Sequence, residues 1–382
     1  MLIPRRLAER LRKSKKSVLL LGPRQTGKST LIQQLNPALT INLANEQTYL
    51  AFAGNPAELE QRLASRTVPT VFIDEIQRLP SLLNTLQDLM DGQFRHIKFY
   101  LTGSSARKLK RGGANLLPGR LHTYHLGPLA AGELDYRCDA IDGLAMGTLP
   151  GIYIEPSADE RQKTLRSYSA TYLKEEIQAE ALTRNIEGFS RFLFVAAACS
   201  GQFLDLTKLA SEGQIARQSA MRYFEILEDT LIVNRCEAFA HTVRQRLIRH
   251  PKYYFFDTGV LNALLGNFGV SADRKGLLFE HLFFNQLIAG VAAADIDCRI
   301  STYRTQHGVE VDFIFEHSNR TWAIECKAST NVGPADLRGL RHFAADYRRP
   351  LRTIVAYLGT VEKQIEDVAI LPWQTALREM GL

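Results

Sequence analysis

Two groups of residues in this 382-residue chain have the types and spacing for phosphate chemistry. The first is Gly22-Pro23-Arg24-Gln25-Thr26-Gly27-Lys28-Ser29, a G-x-x-x-x-G-K-S run between an apolar stretch, Val18–Leu21, and a helix-like one beginning at Thr30. Its glycines let the backbone turn so that successive N–H groups face one anion, and the following helix adds its positive end. Lys28 would reach the β- and γ-phosphates of ATP, and Ser29 would enter the shell of a Mg²⁺ ion. Asp74 and Glu75 close the apolar run Thr70-Val71-Phe72-Ile73. They would complete the metal shell and polarise the attacking water, respectively, or else cap the helix that follows Pro80. Thr102 and Ser104, in Leu101-Thr102-Gly103-Ser104-Ser105, would sense the γ-phosphate or simply form a turn. Arg120 is a candidate arginine finger or a surface charge.

The second group is Glu280, Asp312, Glu325 and Lys327. Residues two apart on a strand share a face, so Glu325 and Lys327 of Glu325-Cys326-Lys327 point the same way. Asp312, in Gly308-Val309-Glu310-Val311-Asp312-Phe313-Ile314-Phe315, would lie on the adjoining strand of a hairpin, and Glu280 would approach from a helix, Leu277–Ile288. Three carboxylates suit Mg²⁺, and a lysine beside them can position or deprotonate a nucleophile, as a phosphodiesterase needs. The alternative is a Glu325–Lys327 ion pair, with Glu280 and Asp312 capping local elements.

These groups need scaffolds. Up to about Asp135, strands are expected at Val18–Leu21, Thr40–Leu43, Val71–Asp74, Phe99–Thr102 and Thr123–Leu126, alternating with helices. That pattern predicts a mostly parallel, three-layer α/β sheet with nucleotide at the carboxyl ends of its strands. The basic stretch Arg107 to Gly113 is a polyanion contact or a solvated loop. From Pro156 to Phe239 the pattern turns helical: Glu160–Ile177, Ser190–Cys199, Leu204–Ala210 and Ala216–Leu227. Strands near Leu231–Val233 and Lys252–Phe256 then suggest a winged helix. Its second helix either offers Arg217, Gln218, Ser219 and Arg222 to a DNA groove or packs between domains. The chain divides on this reading into residues 1–150, a P-loop ATPase domain; 151–260, a helical winged-helix-like module; and 261–382, a small α/β nuclease-like domain.

A net charge of +7 permits nucleic-acid binding without requiring it. Five scattered cysteines, with no metal-binding spacing, point to a reducing compartment. The basic first residues precede no apolar segment of signal-peptide length, and no apolar run approaches the roughly 20 residues that span a bilayer. A cytoplasmic protein without a membrane partner is expected.

The order of motifs resembles a widespread prokaryotic family of AAA-type ATPases that end in a conserved domain of unknown function. It rests on Gly22–Ser29, Phe72-Ile73-Asp74-Glu75-Ile76-Gln77, Leu101–Ser105, Gly119-Arg120, Tyr254-Phe255-Phe256-Asp257-Thr258-Gly259, Phe279-Glu280 and Glu310-Val311-Asp312-Phe313. The resemblance implies an AAA-like core, a winged-helix module and a C-terminal domain similar to restriction-endonuclease-like PD-(D/E)xK folds. It implies ATP and Mg²⁺ as cofactors, Lys28, Ser29, Asp74, Glu75 and Thr102 or Ser104 as the nucleotide site, and Glu280, Asp312, Glu325 and Lys327 as a nuclease-type quartet. One departure is visible: Asn42-Leu43-Ala44-Asn45 lacks the acidic residue that often follows the Asn-Leu strand. The leading expectation is an ATPase, assembled as a homo-oligomer, whose nucleotide state controls a DNA-directed C-terminal domain with nuclease-type chemistry. The alternatives are an ATP-dependent assembly switch with an inert, partner-binding C-terminal domain, and a remodeller of another protein, although no aromatic pore loop is evident.

Overall fold

Short runs, most apolar in the central strands, build the first sheet. The computed structural model describes residues 2–65, 68–104, 117–173, 186–239 and 250–382, with backbone only at 172, 173 and 186. Ser105, the basic stretch 107–113 and the end of the Glu160–Ile177 helix lie outside the described residues. These residues form two compact units, Leu2–Gly127 with Asp229–Leu231, and Pro128–Glu228 with Ile232–Leu382.

In the first unit the strands are β1 (Ser17–Leu21), β2 (Leu39–Asn42), β3 (Thr70–Asp74), β4 (Lys98–Gly103) and β5 (Leu121–His125), in the order β2-β3-β4-β1-β5. All four pairings are parallel. β1 is buried along its whole length, which is why it reads as an unbroken apolar run rather than an alternating one. Leu19, Ile41, Val71, Phe99 and Leu101 fill one core beneath the helix Leu82–Asp91. Leu7, Leu11, Val18, Leu20, Leu31 and Phe72 fill a second on the other face. The expected parallel α/β sheet is therefore present, with each strand end within a residue or two of the sequence reading.

The second unit holds an eight-stranded sheet in the order β12-β13-β11-β10-β9-β8-β6-β7. Its strands are β6 (Val233–Ala238), β7 (Lys252–Phe255), β8 (Arg299–Arg304), β9 (Glu310–His317), β10 (Arg320–Lys327), β11 (Leu351–Tyr357), β12 (Lys363–Ile365) and β13 (Val368–Pro372). β9 and β10 form the expected hairpin, turned by Ser318 and Asn319, both with positive φ. That is the backbone a two-residue hairpin turn requires. β6 begins at Val233, where the expected Leu231–Val233 strand ends; it pairs antiparallel with β7 and also runs parallel to β8. β6 and β7 therefore close one end of a single large sheet, with β7 at the edge, and the small α/β unit foreseen from Gly276 onward is more extensive than its sequence suggested.

Before β6 stand the helices Ile186–Ala198, Leu206–Glu212 and Arg217–Asp229. The first and third are joined by an aromatic knot of Phe189, Phe192, Tyr223 and Phe224, with ring centroids 5.0 to 6.0 Å apart. Arg217, Gln218 and Arg222 are exposed on the last of these helices, and Ser219 is half-buried.

The helix expected over Leu277–Ile288 runs from Ala272 to Ala294. Among the described residues it is the one helix long and apolar enough to cross a bilayer by length and composition, which corrects the expectation that no run approached that length. Two-thirds of its most apolar window is buried inside the protein, where Leu278, Phe279, Leu282, Phe283 and Phe284 are core residues.

Candidate functional site

The loop after β1 has the shape that its glycines allow. Gly27 has φ +89° and Gln25 φ +63°, and a Cβ on Gly22 would lie 2.1 Å from the carbonyl oxygen of Leu126. Thr26 Oγ1 ties the loop to Pro23 O at 2.9 Å. From outside it, Arg5 donates to Thr26 O at 2.8 Å and to Gly127 O at 2.9 Å. The buried Lys28 ammonium turns back onto the carbonyls of Gly22 and Pro23, each at 2.8 Å. A cavity of about 460 Å³ opens here, lined by Arg24, Gln25, Lys28, Ser29, Thr30, Glu75 and Arg78 among others.

Parallel pairing sets the ends of β1, β3 and β4 side by side, and there the chemistry converges. Ser29 Oγ donates to Asp74 Oδ1 at 2.9 Å. Thr102 Oγ1 donates to the same oxygen, and accepts from the Glu75 N–H at 3.3 Å. Thr102 is fully buried, so it holds Asp74 in place from behind. Glu75 stands in the left-handed region, φ +58°, which costs a non-glycine residue on the order of 1 kcal/mol or more and turns its carboxylate toward the cavity. The buried Gln77 amide donates to the Glu75 carboxylate and, at 3.0 Å, to Ser104 Oγ. Ser104 thus contacts the Glu75 assembly through Gln77.

This donor set fits a nucleotide with Mg²⁺: a loop of close-approach glycines, one lysine, and a hydroxyl–carboxylate pair with a free cavity beside it. Arg120 does not line the cavity. Its guanidinium makes a bidentate pair with Asp91, Nε to Oδ1 at 2.7 Å and Nη2 to Oδ2 at 2.6 Å. Sequence reasoning passed over Arg78, which borders the cavity and braces Leu43 O, Ala44 O and Glu46. At the departure from the family pattern, Asn45 caps the helix Glu46–Gly54 through the Thr48 N–H.

In the second unit, the β9–β10 register pairs Ile324 with Phe313, so the next step sets Glu325 opposite Asp312. Asp312 Oδ2 accepts from the Cys326 N–H at 2.8 Å, and Lys327 lies 3.1 Å from Glu325 Oε1. Burial and the neighbouring Glu325 and Glu280 charges hold the Asp312 carboxyl well above the usual carboxylate range. Burial pushes Glu325 up to about 7 against the pull of Lys327.

Glu280 faces a different company. It accepts from Lys252 at 2.9 Å and from the Tyr254 hydroxyl at 2.6 Å, both on β7. Lys252 also meets Glu310 at 2.7 Å. Among the described residues, no three His, Cys, Asp or Glu side chains form a ready metal-ligating group. As arranged, Lys327 engages Glu325 Oε1 and Lys252, from outside the quartet, engages Glu280, so the four do not present a divalent-ion site; Glu325 Oε2 is left buried without a hydrogen-bond partner among the described residues.

The Tyr254–Gly259 motif serves architecture. Asp257 caps the helix Thr258–Leu264 through the Val260 N–H at 3.1 Å and takes the Thr148 N–H at 2.8 Å. A Cβ on Gly259 would meet Met146 O at 2.1 Å.

Comparison with known proteins matches three stretches of the chain. An AAA domain matches residues 14–134, and domains of unknown function match residues 139–271 (DUF8612) and 275–376 (DUF4143). The chain is 29% identical over 385 residues to the uncharacterized proteins Rv2008c of Mycobacterium tuberculosis and Mb2031c of Mycobacterium bovis, covering 97% of this chain and 83% of each relative. Among solved structures, a replication initiator DnaA bound to AMPPCP and single-stranded DNA aligns at 9% identity over 58% of this chain and 85% of its own, TM-score 0.27. The Bacillus subtilis DNA clamp loader delta protein aligns at 12% identity over 58% and 86%, TM-score 0.24. The chain thus carries an AAA-type ATPase domain, equipped for nucleotide binding and hydrolysis, and ends in a conserved domain of unknown function.

Proposed function

We propose that this protein is a Mg²⁺-dependent ATPase whose nucleotide state governs a C-terminal domain directed at nucleic acid. The observation that carries the first half is the Ser29–Asp74–Thr102 chain beside Lys28. Lys28 would exchange its two carbonyl partners for phosphate oxygens. Ser29 and Asp74 would hold Mg²⁺, which neutralises phosphate charge when bound. Glu75 would orient the attacking water, with Gln77 fixing its carboxylate. Arg120 would act from a second copy in a homo-oligomer, since it does not line the cavity of its own chain.

The β9–β10 hairpin, with Asp312 opposite Glu325 and Lys327 alongside, supports a restriction-endonuclease-like C-terminal domain. The three helices followed by β6 and β7 support a winged-helix arrangement. The cleft of about 340 Å³ beside the helix Arg217–Asp229 is of mixed charge, with Asp205, Glu225 and Glu228 set against Arg217 and Arg235, and so favours groove reading only weakly. A second reading is an ATP-dependent assembly switch with an inert, partner-binding C-terminal domain. It is favoured by the carboxylates already engaged by Lys252 and Lys327.

One experiment decides: phosphate release together with binding and cleavage of single- and double-stranded DNA and RNA, with and without ATP and Mg²⁺. Wild type should hydrolyse ATP and engage nucleic acid in a nucleotide-dependent way, and Lys28→Ala should abolish both. Hydrolysis without any nucleic-acid binding or cutting leaves the second reading. Wild-type turnover in Lys28→Ala removes the ATPase assignment.

A further inference from the structure

β7 carries a lysine into the acidic side of the second unit. Lys252 is 4% exposed, although lysine is almost never that buried without partners. Its Nζ lies 2.9 Å from Glu280 Oε1, contributed by the long helix, and 2.7 Å from Glu310 Oε1, contributed by β9. The Phe203 ring lies under the ammonium, 4.9 Å from nitrogen to centroid. Tyr254, two residues on and on the same face of β7, donates to the same Glu280 oxygen. Asp312 is close enough to add attraction, and Arg304 Nη1 stands 3.9 Å from the second Glu310 oxygen. Four elements of the fold thus meet around one ammonium.

We infer that Lys252 is the resident cation of this cluster and that its charge keeps a divalent ion out of the Glu280–Asp312–Glu325 site. The inference rests on the nuclease-like reading of the C-terminal domain and deepens it. A hard divalent ion needs carboxylate oxygens with lone pairs to give. Here Glu280 Oε1 already serves two donors, Glu310 Oε1 the ammonium, Asp312 Oδ2 a backbone N–H and Glu325 Oε1 the Lys327 ammonium, while the buried Glu325 Oε2 has no hydrogen-bond partner among the described residues and is the oxygen a cation would take if the lysine charge were gone. A divalent cation placed among them would also face Lys252 across a weakly screening interior, where like charges repel strongly. Removing the lysine charge while keeping its hydrocarbon stem leaves the carboxylates facing an empty place for a cation.

The test is a Mn²⁺ titration of the full chain without nucleotide, followed by the electron paramagnetic resonance of free Mn²⁺. Lys252→Met should gain one Mn²⁺ per chain, bound roughly tenfold or more tighter than in wild type, a change of the size that altered partners of metal ligands produce. Adding Asp312→Asn should remove that gain and so locate the ion. A wild-type chain that binds one Mn²⁺ in an Asp312-dependent way, as tightly as Lys252→Met, overturns the inference and leaves the nuclease-like reading standing. Folded chains that bind no Mn²⁺ with or without Lys252 overturn both. Should Lys252→Met fail to fold, Glu280→Gln in the native background gives the answer. A resident ammonium that loses its partner lowers Tm. A rise in Tm, the mark of relieved repulsion among acids, overturns the inference.

Discussion

Two aspartates at the ends of sheet strands have opposite fates. Asp74 is held through one oxygen by two neutral hydroxyls, Ser29 and Thr102, beside an open cavity. Asp312 is no more buried than Asp74, 9% exposed against 8%, but has a backbone N–H on one oxygen and the charges of Glu325, Glu280 and Lys252 around it. Hydroxyls orient a carboxylate without cancelling its charge, so a cation still gains from joining them. A lysine cancels the charge and takes up the space. On the proposed reading, identical side chains would serve a cofactor in one unit and a resident lysine in the other, and the neighbours decide which.

The contrast breaks most visibly at Glu75. Glu75→Gln should keep nucleotide binding and lower turnover by about 10²–10⁴-fold, because the water loses its base. Wild-type turnover would remove Glu75 from the reaction. Next is Arg120→Ala, for which a loss of about 10²-fold in turnover is expected with little change in nucleotide affinity. Mixing it with a Glu75→Gln chain should restore part of the activity, since each would supply what the other lacks. Unchanged turnover in Arg120→Ala would assign the residue only to its pair with Asp91. Thr102→Val tests the neutral hold on Asp74, and the Mg²⁺ requirement of hydrolysis should rise about 10-fold. An unchanged requirement would mean that Ser29 alone orients the carboxylate.

The smallest effect concerns the carboxylate–lysine cluster. Glu325 stands at about 7 when folded against 4.5 as its ordinary value, raised chiefly by burial. The native state therefore binds this proton more tightly than the unfolded chain does. Stability from this group is fully present below about pH 4.5, is lost as pH rises toward 7, and levels off above. The Tm advantage of wild type over Glu325→Gln should shrink between pH 5 and 7.5, by the equivalent of on the order of 1–3 kcal/mol. A difference that grows with pH would show Glu325 to be stabilised as a carboxylate.

How much of this was legible in the sequence follows from how local each feature is. β1, its loop and β3 are contiguous patterns whose residues act within a few positions of one another. The β9–β10 hairpin announces itself through its own turn. β8 did not, because Ser301 and Thr302 are buried although polar. The long helix read short because it is covered on most sides and so loses the amphipathic stripe that marks helix ends. Lys252 looked like a charged lead-in to an aromatic strand, and its partner Glu280 lies 28 residues away, a pairing that only the fold creates. The sequence offered Thr102 as a γ-phosphate sensor; the structure buries it away from the cavity lining, and its grip on Asp74 was not legible.

The parallel bridge from β6 to β8 gives the second unit a property its sequence domains do not suggest. A chain cut between β7 and the helix Ala272–Ala294 would expose the β6 edge, leave Lys252 without Glu280 or Glu310, and strip His281 from the Phe255 carbonyl. The two stretches of unknown function are inseparable cargo: exchange between relatives, by recombination or by the bench chemist, must carry both halves together or inherit an open sheet edge and an unpaired buried charge.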